Sequence, residues 1–278
     1  MLMYHSISPV VDDDPHSLRV RPETFDRHLA HLRRRGLRGV SMSEWLAAAR
    51  RGESSRLVAL TFDDGYRDFI EHAMPIMARH GMTGTVYVVA GKIDGTSDWV
   101  VGGPDAPLMT ANDIRAAAVA GHEVASHTTT HARLDHVRGP GLVSEVAHSR
   151  AILEDVVGAP VPGFAYPYGA FDEAAVSAVR EAGYDYAAAT DDHTRRDGYS
   201  IARIFISDRD NPLRLEAKLV RHRIRGAARA AEGSRGVVMR SILGADRLRR
   251  RAAGETRERL PYAPERPGTG GPAASTMC

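Results

Sequence analysis

Apolar and polar positions along the chain alternate between short runs typical of strands and longer segments typical of helices. The predominantly apolar run Leu57–Phe62 has the length of a buried strand and stops at Asp63 and Asp64. Over 68–80 apolar residues recur at helical spacing, and 84–90 has the composition of another strand. The pattern therefore predicts a strand, a helix and a second strand in succession.

The same rhythm continues on both sides of this unit. Near the start, a short strand over 2–5 precedes a helix from Pro22 to about residue 35, and Ser41 with Glu44 is a capping pattern for a helix over 45–51. The later elements are predicted as helices over 112–120, 142–157 and 173–181, and as strands over 122–126, 164–165 and 184–189. This alternation predicts an α/β fold with a parallel sheet or barrel, in which chemistry collects at the carboxyl ends of the strands.

Length and composition favour one large domain with a short appendage. The chain has 278 residues, of which 43% are apolar and 26% charged. No apolar run approaches the roughly 20 residues that a membrane-spanning helix needs. The first residues show neither a cationic leader nor an apolar stretch of signal-peptide length, so a cytoplasmic location is the expectation from the sequence alone.

Charge and cysteine content narrow the possible chemistry. Cys278 is the only cysteine, which excludes an intrachain disulfide and a cysteine metal cluster, so any metal must bind His, Asp or Glu. The net charge is +2, but 223–278 holds twelve arginines against five acids, which leaves residues 1–222 about five charges negative. We predict a folded domain over 1–222 and a disordered, Arg-rich and Pro/Gly-rich tail over 223–278. Such a tail is usually solvated, and no nucleic-acid partner is expected.

Two polar clusters gain significance only when they are taken together: the histidines His127 and His131, and the segment Asp63–Gly65. The two histidines are four residues apart and would share one face of a helix, if that segment is helical. Each cluster alone has an ordinary structural explanation, since spaced histidines arise by chance and Asp-Gly is a common turn. Two imidazoles plus one carboxylate, however, make a three-ligand metal site with an open position for water, and a second carboxylate remains free to act as a base.

Three segments resemble, in order, the main motifs of the NodB-type polysaccharide deacetylases, which form carbohydrate esterase family 4. They are Thr61–Gly65, Ser126–His131 and Phe164–Gly169, and the resemblance extends from about Leu2 to Ile206. It implies a distorted (β/α)7 barrel that removes N-acetyl groups from a polysaccharide containing N-acetylglucosamine.

The resemblance also implies roles for individual residues. Asp64, His127 and His131 would hold a divalent metal, Asp63 would be the general base, and the backbone N–H of Tyr168 would stabilise the oxyanion. Zinc is the expected cofactor, although the same ligands accept cobalt, nickel or iron.

The sequence departs from the common family pattern at two points. We find no Leu-x-His motif after Ile206, but the segment Met3–Ser6 resembles the opening motif of the circularly permuted poly-N-acetylglucosamine deacetylase subgroup, which assigns His5 as the general acid. Many members have an arginine that orients the base where this chain has Ala165. Arg203 is a candidate replacement, although an arginine after a strand is more often a surface or ion-pair residue.

Two other functions remain open at this point. A same-fold deacetylase of a small amide or an O-acetyl ester is suggested by the lack of a visible export signal. A non-catalytic carbohydrate-binding module is suggested by Ala165 and by the missing C-terminal histidine.

The resemblance also favours the cell envelope or the extracellular space as an alternative location. Trp99 could stack on a sugar ring. The oligomeric state is not indicated.

Overall fold

A computed structural model describes residues 1–10, 14–99, 106–190, 198–222 and 224. Its strands are β1 (Leu2–Tyr4), β2 (Ser6–Ile7), β3 (Arg19–Val20), β4 (Arg38–Val40), β5 (Leu57–Phe62), β6 (Thr85–Val88), β7 (Glu123–Ser126), β8 (Gly163–Ala165), β9 (Tyr186–Thr190) and β10 (Ile201–Phe205). Within these residues, seven parallel strands run in the order β1, β10, β9, β8, β7, β6, β5, and pairing of β5 with β1 closes the ring. The predicted (β/α)7 barrel is thereby confirmed.

Helices cover the outside of the barrel. They are α1 (Pro22–Arg34), α2 (Met42–Arg50), α3 (Met74–Arg79), α4 (Ala111–Val119), α5 (Pro140–Val143), α6 (Ser149–Val157) and α7 (Glu173–Glu181). Side-chain caps at Ser41, Thr110 and Asp172 satisfy free N–H groups at the starts of α2, α4 and α7. In α1 the buried residues recur every three or four positions, which places one apolar stripe against the barrel.

Alternation along each strand separates two apolar clusters. Val58, Leu60 and Phe62 of β5 belong to the large cluster between barrel and helices, whereas Ala59 belongs to a small second cluster. That second cluster fills the barrel interior and consists of Met42, Ala59, Tyr87, Ala125, Ala165, Tyr186 and Ala188. Because the side-chain period of a strand is two, Thr61 and Asp63 continue the inward series that Ala59 begins.

Several predicted boundaries and elements differ from the structure. The predicted helix over 68–80 is a π-helical segment, Phe69–Ala73, followed by α3, and the predicted helix over 142–157 consists of α5, a second π-helical segment, Ser144–His148, and α6. The strands β2, β3, β4 and β10 and the helical residues 212–222 were not predicted. Three of these strands, β2, β3 and β4, have two or three residues each, too few to show a period.

The end of the chain lies largely outside the described residues. The predicted disordered tail over 223–278 falls there, apart from residue 224, so it stays a prediction. Among the described residues, none of the helices has the length and apolar character needed to cross a bilayer.

Candidate active site

Polar side chains from several strands meet at one rim of the barrel. Asp63 and Asp64 follow β5, His127 follows β7, and His5 follows β1. Because all strands of the ring are parallel, their carboxyl ends lie at the same rim. These residues, together with His131, Tyr168 and Arg203, line one cavity of about 300 Å³. The structure thus brings together every residue that the sequence singled out for catalysis or metal binding.

Asp64 and the two histidines form a compact, buried group. The Nε2 atoms of His131 and His127 lie 3.1 Å and 3.4 Å from Oδ1 of Asp64. Ligand atoms of the three residues all lie within 4.8 Å of one another, and each side chain is less than a tenth exposed. This arrangement offers one oxygen and two nitrogens to a single point.

Neighbouring groups fix which nitrogen of each histidine faces this point. His127 Nδ1 donates to the carbonyl oxygen of Ala165 at 2.8 Å, and His131 Nδ1 lies 3.2 Å from the hydroxyl of Tyr168. Because its Nδ1 donates to a carbonyl, His127 has its lone pair on Nε2, the nitrogen that a metal would bind; His131 has the same form when its Nδ1 donates to the Tyr168 hydroxyl.

The donor set fits a divalent cation. Oδ1 of Asp64 is buried and has no hydrogen-bond partner, which is costly unless a cation or a proton satisfies it. Two imidazole nitrogens and one carboxylate are the ligand types of catalytic zinc sites. Burial tends to raise the pKa of Asp64, but the two histidines beside it outweigh burial and hold that pKa well below its usual range. Asp64 is therefore ionised at neutral pH, as a metal ligand requires.

The two histidines lie on a loop and not on a helix. The helical spacing that was expected to bring their rings together therefore does not apply. We call residues 127–131 the ligand loop. Thr128 and His131 both have positive φ, 69° and 65°, so the chain turns sharply between the two rings. The backbone N–H of His131 donates to the Thr128 hydroxyl at 2.9 Å, which closes the turn. Each such non-glycine residue costs on the order of 1 to 3 kcal/mol, so the loop needs support from its surroundings.

Asp63 is held by a buried arginine. Nη1 and Nη2 of Arg203 donate to Oδ1 and Oδ2 of Asp63 at 2.5 Å and 2.8 Å, and Nη1 also donates to the Thr61 hydroxyl at 3.1 Å. Burial raises the pKa of Asp63, yet the charge and hydrogen bonds of Arg203, with a smaller contribution from His127, bring that pKa below its ordinary value. Asp63 is thus a carboxylate at neutral pH, fixed in orientation by a two-point contact.

Arg203 lies within a strand and not after one, and it forms a buried ion pair with Asp63. It is the third residue of β10, is only 1% exposed, and points into the barrel with its guanidinium 5.0 Å from the ring centre of Tyr87. Ala165 belongs to the interior cluster that also contains Tyr87. Arg203 therefore contacts the base from a different strand than the one that carries Ala165.

His5 and Tyr168 complete the cavity wall. The His5 ring contacts Phe205 edge to face, with ring centres 5.8 Å apart, and its Nδ1 is buried without a hydrogen-bond partner. Tyr168 has φ of 59° and is half exposed, and its ring lies edge to face against His131. Trp99 also stacks on His131, with ring centres 4.4 Å apart. Two aromatic rings thus contact the second histidine.

Sequence reasoning missed the residues that support the site. Tyr66 interacts with Asp64, and Glu145 accepts hydrogen bonds from the ligand loop. Asp68 accepts hydrogen bonds from Ser6 and from the backbone of residue 7, directly after His5. Tyr66 and Asp68 lie beside the first motif, which is a usable signal, but the distant Glu145 has no local signal.

Known proteins of one family resemble this chain in sequence. The sequence profile of the polysaccharide deacetylase family matches residues 50–187. YxkH of Bacillus subtilis (strain 168), which carries the family's name, is 28% identical over 193 residues, covering 69% of this chain and 64% of YxkH. The chain spans less than two thirds of the length of the curated relatives that it matches.

Solved structures share the fold. The deacetylase PplD of Streptococcus pyogenes, solved with acetate, superimposes with a TM-score of 0.68 at 23% identity, covering 78% of this chain and 96% of PplD. A de-N-acetylase from Aggregatibacter actinomycetemcomitans gives a TM-score of 0.65 at 19% identity, over 78% and 98% of the two chains. The barrel, the ordered motifs and the family profile agree, and we conclude that the chain carries a polysaccharide deacetylase domain, which the profile matches over residues 50–187.

Proposed function

We propose that the chain is a metal-dependent hydrolase that removes N-acetyl groups from a polysaccharide containing N-acetylglucosamine. The observation that carries this proposal is the convergence of Asp64, His127 and His131 on one point beside an ionised carboxylate, Asp63. A divalent cation held there supplies Lewis acidity, which polarises a carbonyl and makes water a better nucleophile. Zinc is the first candidate, with cobalt, nickel and iron as alternatives.

Asp63 is proposed as the general base. Both of its oxygens accept from Arg203, and each retains a lone pair that can take a proton from the attacking water. The two-point contact orients the carboxylate before substrate arrives, so little reorganisation is needed during the reaction. A positioned base of this kind contributes about 10² to 10⁴ in rate.

His5 and Tyr168 are proposed to handle the other charges. The water's oxygen adds to the acetyl carbon, and the backbone N–H of Tyr168 donates to the resulting oxyanion. When the carbon–nitrogen bond breaks, His5 gives its proton to the leaving amine, so acetate and a free amino group are the products. Both residues line the same cavity as Asp63, which supports this division of roles.

The decisive test is acetate release from short N-acetylglucosamine oligomers by protein loaded with zinc or cobalt. Asp63→Asn is the matched control, because it keeps the three proposed ligands and removes the base. We expect the control to be slower by about 10³. Equal rates in both proteins, or release only from small amides or O-acetyl esters in a substrate panel, would contradict the proposal. Binding of glycan without any turnover would favour a non-catalytic role.

The acid role of His5 needs a separate substrate. His5→Gln should slow acetate release from the glycan by about 10² or more, because the amine leaves poorly without a proton. Turnover of 4-nitrophenyl acetate should change little, since its leaving group departs as an anion. An equal loss on both substrates would contradict the assignment.

A further inference from the structure

Glu145 lies in the π-helical segment Ser144–His148, between α5 and α6, and contacts the ligand loop from outside the cavity. Its Oε2 accepts the backbone N–H groups of Thr129 at 3.0 Å and of Thr130 at 2.9 Å. Its Oε1 accepts the hydroxyl of Thr130 at 2.6 Å. One carboxylate thus binds three donors from the two residues in the middle of the loop.

The same segment holds the loop a second time through its backbone. The hydroxyl of Thr129 donates to the carbonyl oxygens of Ser144 at 3.1 Å and of Glu145 at 3.3 Å. On the opposite side, the N–H of Gly91 donates to the Thr129 carbonyl at 2.8 Å. The centre of the loop is therefore clamped between the π-helical segment and the residues after β6.

This support is applied where the loop is strained. Thr128 and His131, on either side of Thr129 and Thr130, both have positive φ. Backbone conformations of this kind persist only when the surrounding contacts determine them. Without the carboxylate, the two backbone N–H groups lose their acceptor, and the turn that sets the separation of the two histidine rings loses its main restraint.

We propose that Glu145 is a positioning residue that holds His127 and His131 in the geometry required for metal binding. This inference rests on the proposed function, because it takes these two histidines and Asp64 as the metal ligands. Glu145 touches neither the metal position nor the cavity, so it acts through the ligand loop alone. Its loss should weaken metal binding while leaving the chemistry of the loaded site largely intact.

The test compares cobalt affinity in metal-stripped full-length variants, measured by calorimetric titration. Glu145→Ala should bind cobalt about 10 to 100 times more weakly than wild type, the range typical of groups that orient metal ligands. Glu154→Ala is the matched control, because Glu154 also accepts a backbone N–H, that of Val161, and the side chain of Arg150 in the adjacent α6, away from the loop. The control should bind within about twofold of wild type.

Two further variants keep the proposal falsifiable. Glu145→Gln still offers an oxygen to both backbone N–H groups and an amide to the Thr130 hydroxyl, so it should recover most of the affinity. Thr130→Val removes one donor from an exposed residue and should weaken binding by about threefold, even if Glu145→Ala does not fold.

The outcomes separate this inference from the proposed function. At saturating cobalt, acetate release by Glu145→Ala should be within about threefold of wild type. The substitution changes only the fraction of molecules whose ligand loop has the metal-binding conformation, and bound cobalt restores that fraction. Cobalt affinity of Glu145→Ala equal to that of the control, or unchanged affinity in Thr130→Val, would overturn the inference alone. So would Glu145→Gln binding as weakly as Glu145→Ala. Failure of the wild-type protein to bind cobalt would instead contradict the proposed function itself.

Discussion

Asp63 and the ligand loop lie at the same rim, but different kinds of structure hold them. Asp63 extends the inward side of β5, and its partner Arg203 is anchored within β10, so two strands of the barrel fix the base. The ligand loop has irregular backbone with two residues at positive φ, and it depends on hydrogen bonds that it donates to Glu145 and accepts from Gly91. Asp63, the proposed base, is therefore part of the folded core, whereas the loop can lose its geometry without the barrel unfolding.

Removing Arg203, the partner of Asp63, should have the largest effect on stability. Arg203→Met leaves Asp63 ionised in the barrel interior without a partner, which should lower the free energy of unfolding by about 3 to 5 kcal/mol. Cobalt affinity should change little, because the ligand loop does not depend on Arg203. Urea unfolding measures the first quantity and calorimetric titration the second.

The double variant supplies the control for this pair. Asp63→Asn combined with Arg203→Met removes both charges, so it should be more stable than Arg203→Met alone. A loss below about 1 kcal/mol in Arg203→Met would mean that the pair is not buried in solution and would remove the contrast between the two sides.

Asp68, which holds the segment after His5, makes the stability of the barrel depend on pH. Burial raises the pKa of Asp68 to about 6, although hydrogen bonds from Ser6 and from the backbone of Ile7 oppose the rise. The folded state therefore holds its proton more tightly than the unfolded chain, so this group's contribution to stability is full below the unfolded pKa and is lost as pH rises through about 6.

Asp68→Asn removes this dependence. Relative to wild type, the free energy of unfolding of the variant should rise by up to about 3 kcal/mol between roughly pH 4 and pH 7. Urea unfolding across that range measures the difference, which cancels the contributions of other titrating groups. A constant difference at all pH values would contradict the raised pKa of Asp68.

The ligand loop should respond to a small steric change at Gly91. A methyl group at Gly91 would lie 2.5 Å from the carbonyl oxygen of Thr129, too close for an unshifted loop. Gly91→Ala should thus weaken cobalt binding by about tenfold, with a loss of unfolding free energy of only about 1 kcal/mol. The control is Ala78→Gly in α3, a change between the same two residue types at a remote position, which should leave cobalt affinity unchanged. Unchanged cobalt affinity in Gly91→Ala would show that the loop adapts freely.

The smallest expected effect concerns the pH profile of the reaction. In the proposed mechanism Asp63 acts as a base only when ionised, so activity should be lost as pH falls through its pKa, which Arg203 holds below the ordinary value. Arg203→Lys supplies charge without the two-point contact, so the acid limb of kcat/KM should move upward by about one pH unit. An acid limb at the same pH in both proteins would contradict the dependence of the base on Arg203.

Much of the fold and of the candidate metal site was predictable from the sequence, for identifiable reasons. β5 and α7 have strong apolar patterns with clear boundaries, and α7 was predicted at its observed limits. Asp63, Asp64, His127 and His131 lie in contiguous motifs, so their type and spacing signal the chemistry. Their assigned roles remain part of the proposal.

What escaped prediction depends on contacts between distant parts of the chain. The burial of Arg203 follows from the inward register of β10 and from closure of the barrel, which no local pattern reveals. The sharp turn from His127 to His131 arises from contacts with Glu145 and Gly91, so a helical spacing rule could not describe it. Long-range pairing, not composition, decides both features.

The most direct measurement is a cobalt titration of metal-stripped protein that follows acetate release from N-acetylglucosamine oligomers, with Asp64→Asn as the matched variant. Asparagine tolerates the positive φ of 73° at this position but lacks the charge that a cation needs. The account predicts that acetate release returns and saturates at one cobalt per chain in the wild type and stays near background in Asp64→Asn. Undiminished release by the stripped protein, or equal cobalt-dependent release by both proteins, would contradict it.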